Sequence, residues 1–225
     1  IEHCFRRAEF YKKWDTLVVA TCDVEIEVFC KSKKIEVVMT DKKHIRGLDR
    51  IAEAAKILDP NGSDEDIIVN VQGDEPLLGP DVLETVIEPF FHDETIKGTL
   101  LGVPIKEEKD FYNPNNLKLI HNLKGDVLYT SRSPIPYTKK FSPDMGAYKV
   151  GGVFGFRRNF LNWFTNTPES PLERMEICDS NRIYDHGFHQ RLAPMKYRPF
   201  ISVDSPEDIQ RVEEVMPRDP LFGKY

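Results

Sequence analysis

The stretch from Asp66 to Pro76, Asp-Ile-Ile-Val-Asn-Val-Gln-Gly-Asp-Glu-Pro, limits the fold more than any other. Ile67, Ile68, Val69 and Val71 form a short, β-branched and almost wholly apolar run. That pattern suits a central strand covered on both faces. The run breaks into Gly73-Asp74-Glu75-Pro76, which puts two acids at the carboxyl end of the strand. In open α/β sheets that edge is where ligands bind. A plain turn with solvated acids is the simpler reading of Gly-Asp. The sharper one is a seat for Mg²⁺, a hard cation that takes oxygen ligands.

The flanking segments repeat the alternation. Residues 1–13 read as a helix, Leu17 to Thr21 as a strand, Val24 to Lys31 as a helix and Ile35 to Thr40 as a strand. Gly47 to Leu58 is amphipathic, with Leu48, Ile51, Ala52, Ala55 and Leu58 on one side. Pro80 opens a helix to about Phe91. Strand–helix alternation of this kind implies a mostly parallel sheet with helices on both faces and right-handed crossovers. From Gly98 onward strands dominate: Leu100–Ile105, Leu117–His121, Val127–Thr130 and Tyr148–Phe156. Asn159–Phe164 reads as a short helix. Ser170-Pro171-Leu172-Glu173 is a capping box, and Ser205-Pro206-Glu207-Asp208 is a close relative. Tyr197 to Val203 reads as a strand that ends at Asp204.

Asp204 therefore occupies the same kind of position as Asp74, and the two carboxylates could share one Mg²⁺ that bridges to phosphate. Its simpler role is charge complementarity at a helix start. Arg132, in the proline-stiffened loop Ser131 to Tyr137, could clamp a carboxylate bidentately. Otherwise it makes a surface ion pair. Arg46, Asp49 and Arg50 flank a glycine at a helix start, where backbone N–H groups can receive a polar ligand; an ordinary charged helix face is the alternative. A lone loop His44 is more often solvated than ligating. Glu173 and Glu176 lie one turn apart on one face, and Glu173 already has a structural task in its capping box.

At 225 residues the chain has room for one sizeable domain. Its net charge of −6 argues against a general nucleic-acid binder. No apolar run approaches a membrane span. Cys4, Cys22, Cys30 and Cys178 form no C-x-x-C pair or zinc spacing, which fits buried thiols in a reducing compartment, the cytoplasm.

Taken together, several segments resemble one family. Val69-Asn70-Val71-Gln72-Gly73-Asp74-Glu75-Pro76-Leu77 is similar to the signature of the 3-deoxy-manno-octulosonate (Kdo) cytidylyltransferases. The match continues in order through Ala20-Thr21-Cys22-Asp23, Met39-Thr40 with His44 and Gly47-Leu48-Asp49-Arg50, and Ser131-Arg132-Ser133-Pro134-Ile135-Pro136-Tyr137. Leu172-Glu173-Arg174-Met175-Glu176 and Val203-Asp204-Ser205-Pro206-Glu207-Asp208 complete it. The resemblance implies a Rossmann-like nucleotidyltransferase fold, with an inserted substrate and dimerisation subdomain at about residues 113–187, small and β-rich. It implies a Mg²⁺-dependent homodimer that couples CTP to a 2-keto-3-deoxy sugar acid for surface polysaccharide synthesis. Asp74 and Asp204 would hold the metal. Gln72 and Arg132 would address the sugar acid with Glu176 nearby, and Arg46, Asp49 and Arg50 would line the cytidine site.

Three segments depart from the family pattern: Val150 before Gly151-Gly152-Val153-Phe154, Asp179-Ser180-Asn181-Arg182, and Arg46 itself. They suggest a sugar related to Kdo, altered near its tail, as readily as Kdo. The family also opens with a strand and a basic glycine-containing loop, and residue 1 falls just after them, so the chain as it stands is expected to bind CTP poorly or not at all. The other readings are a metal-dependent glycosyltransferase and a non-catalytic relative without the phosphate loop.

Overall fold

A computed structural model describes residues 1–225. The amino-terminal part follows the expected alternation: α1 (Glu2–Ala8), β1 (Val19–Thr21), α2 (Val24–Ser32), β2 (Val37–Met39), α3 (Gly47–Leu58) and β3 (Ile67–Val71). Then come α4 (Pro80–Ile87), α5 (Pro89–His92), β4 (Gly98–Pro104), α6 (Glu108–Tyr112), β5 (Lys118–His121), β6 (Val127–Ser131) and β7 (Tyr148–Arg157). The chain ends with α7 (Arg158–Asn166), α8 (Pro171–Glu176), α9 (Ser180–Asp185), β8 (Arg191–Pro194) and α10 (Pro206–Val215). No helix is long and apolar enough to cross a membrane.

Differences from the sequence reading have local causes. The helix from Pro80 breaks before Pro89, whose ring cannot continue it. Residues Tyr197 to Val203 form no strand: the chain bends at Tyr197 and Arg198, and Pro199 removes one donor there. The strand in that region is Arg191–Pro194, which pairs in parallel with β4.

The class is α/β, with helices flanking the sheet, but the pairing is mixed. β1 and β2 form a parallel pair of their own. The larger sheet runs β6-β5-β7-β4-β8, with β3 against β7. β7 pairs antiparallel with both β3 and β4, so those two point the same way, as a crossover through α4 requires. The antiparallel β7 between them is what a reading of parallel units misses. The segment 113–187 supplies β5, β6 and β7 to this same sheet.

The main core gathers Leu78, Val82, Leu83 and Val86 from around α4 with Leu101, Val103 and Val153, and one face of β3 (Ile67, Val69, Val71) packs on it. The other face of β3, through Ile68, meets a second core of Leu48, Phe156, Phe160 and Phe164. β3 is thus covered above and below, as its composition predicts. Its two ends are held as well: Arg158 N donates to Asp66 O at 2.8 Å and Gln72 N to Gly152 O at 2.9 Å.

Candidate active site

Gln72, Gly73 and Asp74 emerge from the carboxyl end of β3. Val203 N donates to Asp74 O at 2.9 Å, which brings the extended segment before α10 alongside that end. Asp74 and Asp204 thereby become neighbours. Burial raises the Asp74 carboxyl above its usual range, and the negative charge of Asp204 adds to this. Asp74 Oδ1 is buried without a hydrogen-bond partner. Such an atom is costly unless something completes it. Neither acid is in an ion pair. Asp208 closes the capping box of α10, accepting from Ser205 N at 3.1 Å, so Asp204 is not used as the cap.

These residues fit a divalent cation. A like-charged pair with one unsatisfied buried oxygen gains from a shared positive ion. No group of three or more His, Cys, Asp or Glu side chains surrounds a common point. A cation held here would have these two carboxylates as its protein ligands and would need water or substrate for the rest.

Glu75, the second of the two acids that the sequence places at this strand end, is held in structural hydrogen bonds and fixes the edge from beneath. It is buried, and one carboxylate oxygen accepts from Gly152 N at 2.7 Å and from Ser202 Oγ at 2.8 Å. One side chain thus ties β3, β7 and the segment leading to Asp204. Burial pushes its pKa to about 7, against the two hydrogen bonds. Gly152 is required by close approach: a Cβ there would lie 2.5 Å from Glu75 Oε1 and 2.6 Å from Gln72 Oε1.

Gly47 and Arg50 of α3 line the same cleft as Gln72, Gly73 and Asp74. The Arg50 guanidinium is steadied by Thr40 Oγ1 at 2.6 Å and His44 O at 3.0 Å. Asp49, next in the helix, is half-buried. Arg46 turns away. It forms ion pairs with Glu169 and Glu173 and with Asp179 at 2.5 Å, linking the start of α3 to α8 and α9. Glu173 also receives Arg182 on both oxygens at 2.7 Å.

Arg132 and Glu176 form a separate cluster. Glu176 accepts from Tyr129 Oη and Ser131 Oγ at 2.7 Å and from Arg132 N at 2.8 Å. The Arg132 guanidinium donates to the carbonyls of Glu176 at 3.0 Å and Pro114 at 3.1 Å. Lys118, fully buried, donates to the carbonyls of Asn113, Asn116 and Arg132, and burial lowers its pKa to about 8. This lysine holds the Arg132 loop, yet in the sequence it looks like any strand lysine. Ile177 carries φ of 51°, a left-handed conformation unusual for a β-branched residue. Lys149 lies between the clusters: its Nζ is 3.4 Å from Asn116 Oδ1 and its charge acts on Glu75.

The profile of the family described as Cytidylyltransferase matches residues 1–196. The chain belongs to the cytidylyltransferase family. Its relatives include a 3-deoxy-manno-octulosonate cytidylyltransferase of Solibacter usitatus (strain Ellin6076), 31% identical over 99% of this chain and 86% of that protein. An 8-amino-3,8-dideoxy-manno-octulosonate cytidylyltransferase of Shewanella pealeana (strain ATCC 700345 / ANG-SQ1) is 35% identical over 95% of this chain and 86% of its own length. Among solved structures, that of a CMP:2-keto-3-deoxy-manno-octonic acid synthetase complexed with CTP matches with a TM-score of 0.84 at 28% identity. It covers 97% of this chain and 87% of the solved one. For this cytidylyltransferase, the resemblance seen in the motifs and the fold of the whole chain agree.

Proposed function

We propose that this cytidylyltransferase joins CTP to a 2-keto-3-deoxy sugar acid and releases pyrophosphate. The anomeric hydroxyl oxygen attacks the α-phosphorus, the bond from that phosphorus to the pyrophosphate oxygen breaks, and the hydroxyl proton passes to solvent. The observation that carries this reading is the unpartnered buried oxygen of Asp74 beside Asp204 at the carboxyl end of β3. Bound there by Asp74 and Asp204, Mg²⁺ would neutralise phosphate charge. The remaining work is positioning, as phosphoryl-type transfer requires. Gln72 reaches toward the sugar acid from the exposed end of β3. Arg132 and Glu176 form the rigid wall of the sugar side. The start of α3, with Asp49, Arg50 and the backbone near Arg46, faces the cytidine.

The sugar is Kdo or a relative altered at its tail. The similarity to an enzyme named for the 8-amino sugar supports the second reading. So does Arg46, drawn into a carboxylate cluster with Asp179, both of which lie in segments that depart from the family pattern. We further infer a homodimer in the cytoplasm that serves surface polysaccharide synthesis. The free cysteines support a reducing compartment. Pyrophosphate release from CTP with Mg²⁺, measured with Kdo and with its 8-amino counterpart, is expected with at least one of them. Release with neither, or binding of a UDP- or GDP-sugar in preference to CTP, would overturn the proposal.

A further inference from the structure

Lys118 is fully buried on β5, the strand between β6 and β7, where its register partners are Ser131 and Lys149. A buried ammonium ordinarily has a carboxylate against it. This one has three backbone carbonyls instead: Asn113 O at 2.9 Å, Asn116 O at 2.7 Å, and Arg132 O. An ammonium carries three protons, so each carbonyl receives one. A neutral amine has two protons and a lone pair. One of the three carbonyls would then face the lone pair, so the full set of bonds requires the charged form.

The three carbonyls belong to the two segments that shape the sugar side. Asn113 and Asn116 bracket the turn between α6 and β5, which Asn116 N closes on Asn113 O at 3.2 Å. Arg132 opens the proline-stiffened loop after β6. Its guanidinium returns to the same turn at Pro114 O, 3.1 Å away, and reaches the end of α8 at Glu176 O, 3.0 Å, and Ile177 O, 3.4 Å. Lys118 and Arg132 thus grip one turn from two sides, and Lys118 also grips Arg132. The Glu176 carboxylate joins them by accepting from Arg132 N at 2.8 Å.

The charged groups around Lys118 are few. Arg132 opposes its charge and Glu176 supports it. The Lys149 ammonium, from β7, is turned to Asn116 Oδ1 at 3.4 Å. Tyr129 of β6 donates to Glu176, and its pKa lies above the ordinary range, so it keeps its proton at mildly alkaline pH. Burial outweighs the help from Glu176 and brings the Lys118 pKa down to about 8. Arg132 does not deprotonate. Lys118 is the cation of this group that can lose its charge close to neutrality.

We propose that Lys118 is a positioning residue for the acidic sugar: its ammonium holds the 113–116 turn and the Arg132 loop in the form that receives the substrate, and loss of its proton releases both. This rests on the reading of Arg132 and Glu176 as the sugar side. Charge acts in the same direction as geometry. With Lys118 charged, two cations face the one carboxylate of Glu176, and the excess favours an anionic sugar. With Lys118 neutral, that excess is gone.

Two measurements on the full chain test this. The first is NMR of isotope-labelled lysine and arginine from about pH 6 to pH 10. One lysine Cε resonance, absent from Lys118→Arg, should titrate near pH 8, ahead of the other lysines. The Arg132 Nε–H should exchange slowly below that midpoint and rapidly above it. This measurement needs neither CTP nor turnover, so its failure is separate from that of the catalytic reading. The second follows pyrophosphate release with whichever of Kdo and its 8-amino counterpart is turned over. KM for the sugar acid should rise about tenfold from pH 7 to pH 9, while kcat changes less than about twofold. Lys118→Met should show the raised KM already at pH 7, with no further rise to pH 9. Three results would each overturn the proposal: no lysine titrating early, an Arg132 Nε–H whose exchange ignores the Lys118 midpoint, or a wild-type KM for the sugar acid that stays flat across it.

Discussion

Asp74 matters because of what its second oxygen lacks. A buried carboxylate oxygen with no donor, next to another acid, is stable only with a cation or a proton. Mn²⁺, as a spectroscopic stand-in for Mg²⁺, should bind the unaltered chain. Asp74→Asn or Asp204→Asn should each weaken that binding by roughly tenfold to a hundredfold, read by titration of the free Mn²⁺ signal. Because the Asp74 carboxyl is raised, affinity should also fall as pH drops through the region just above the ordinary carboxylate range. Equal binding by the wild type and both variants would remove the metal from this edge. Glu75 shows the opposite use of an acid. Its hydrogen bonds hold backbone and Ser202, so it sets the spacing of its neighbours.

At the scale of elements, the joint between α3, α8 and α9 is an ion cluster around Glu173. Burial alone would raise the pKa of that carboxyl. The hydrogen bonds from Arg182 and Ser170 and the charges of Arg182 and Arg46 outweigh it and lower the pKa below its ordinary 4.5. A lowered folded-state value means that the unfolded chain binds protons first as acid is added. The stabilisation is therefore complete above about pH 4.5 and is lost as pH falls through the lower folded value. Glu173→Gln leaves Arg182 and Arg46 short of a partner and should cost about 3 kcal/mol at pH 7, with a flatter stability profile between pH 3 and 5. Urea midpoints measured across pH for both chains check this; parallel curves would show that the cluster contributes no proton linkage. The same joint explains Arg46, which the motif assigns to the cytidine side and the fold binds into the link between helices.

For the whole molecule, β6 is an outer strand of the large sheet, with Leu128 exposed on it and Met175 and Ile177 exposed at the adjoining end of α8. Exposed apolar side chains gathered at a sheet edge mark an interaction surface. The proposed homodimer would use it. Light scattering on the eluting peak should then give twice the chain mass of 26.0 kDa, and Leu128→Glu with Ile177→Asn should reduce it to one chain. A wild-type peak at the monomer mass would refute the dimer.

Much of this protein was readable in its residues. The apolar run before Gly73 had to be a covered strand, and the capping boxes at Ser170 and Ser205 had to start helices, because these signals act within a few residues. The ordered motifs identified the family for the same reason: each is local. Other features depend on contacts between distant segments. That β7 enters antiparallel between β3 and β4, that residues 197–203 form no strand, and that Lys118 holds the Arg132 loop were decided only when remote backbone groups found partners. Sequence spacing carries the period of an element but not the partner of its edge. The neighbouring of Asp74 and Asp204, 130 residues apart in the chain, is set by one backbone hydrogen bond from Val203 and by the buried carboxyl of Glu75.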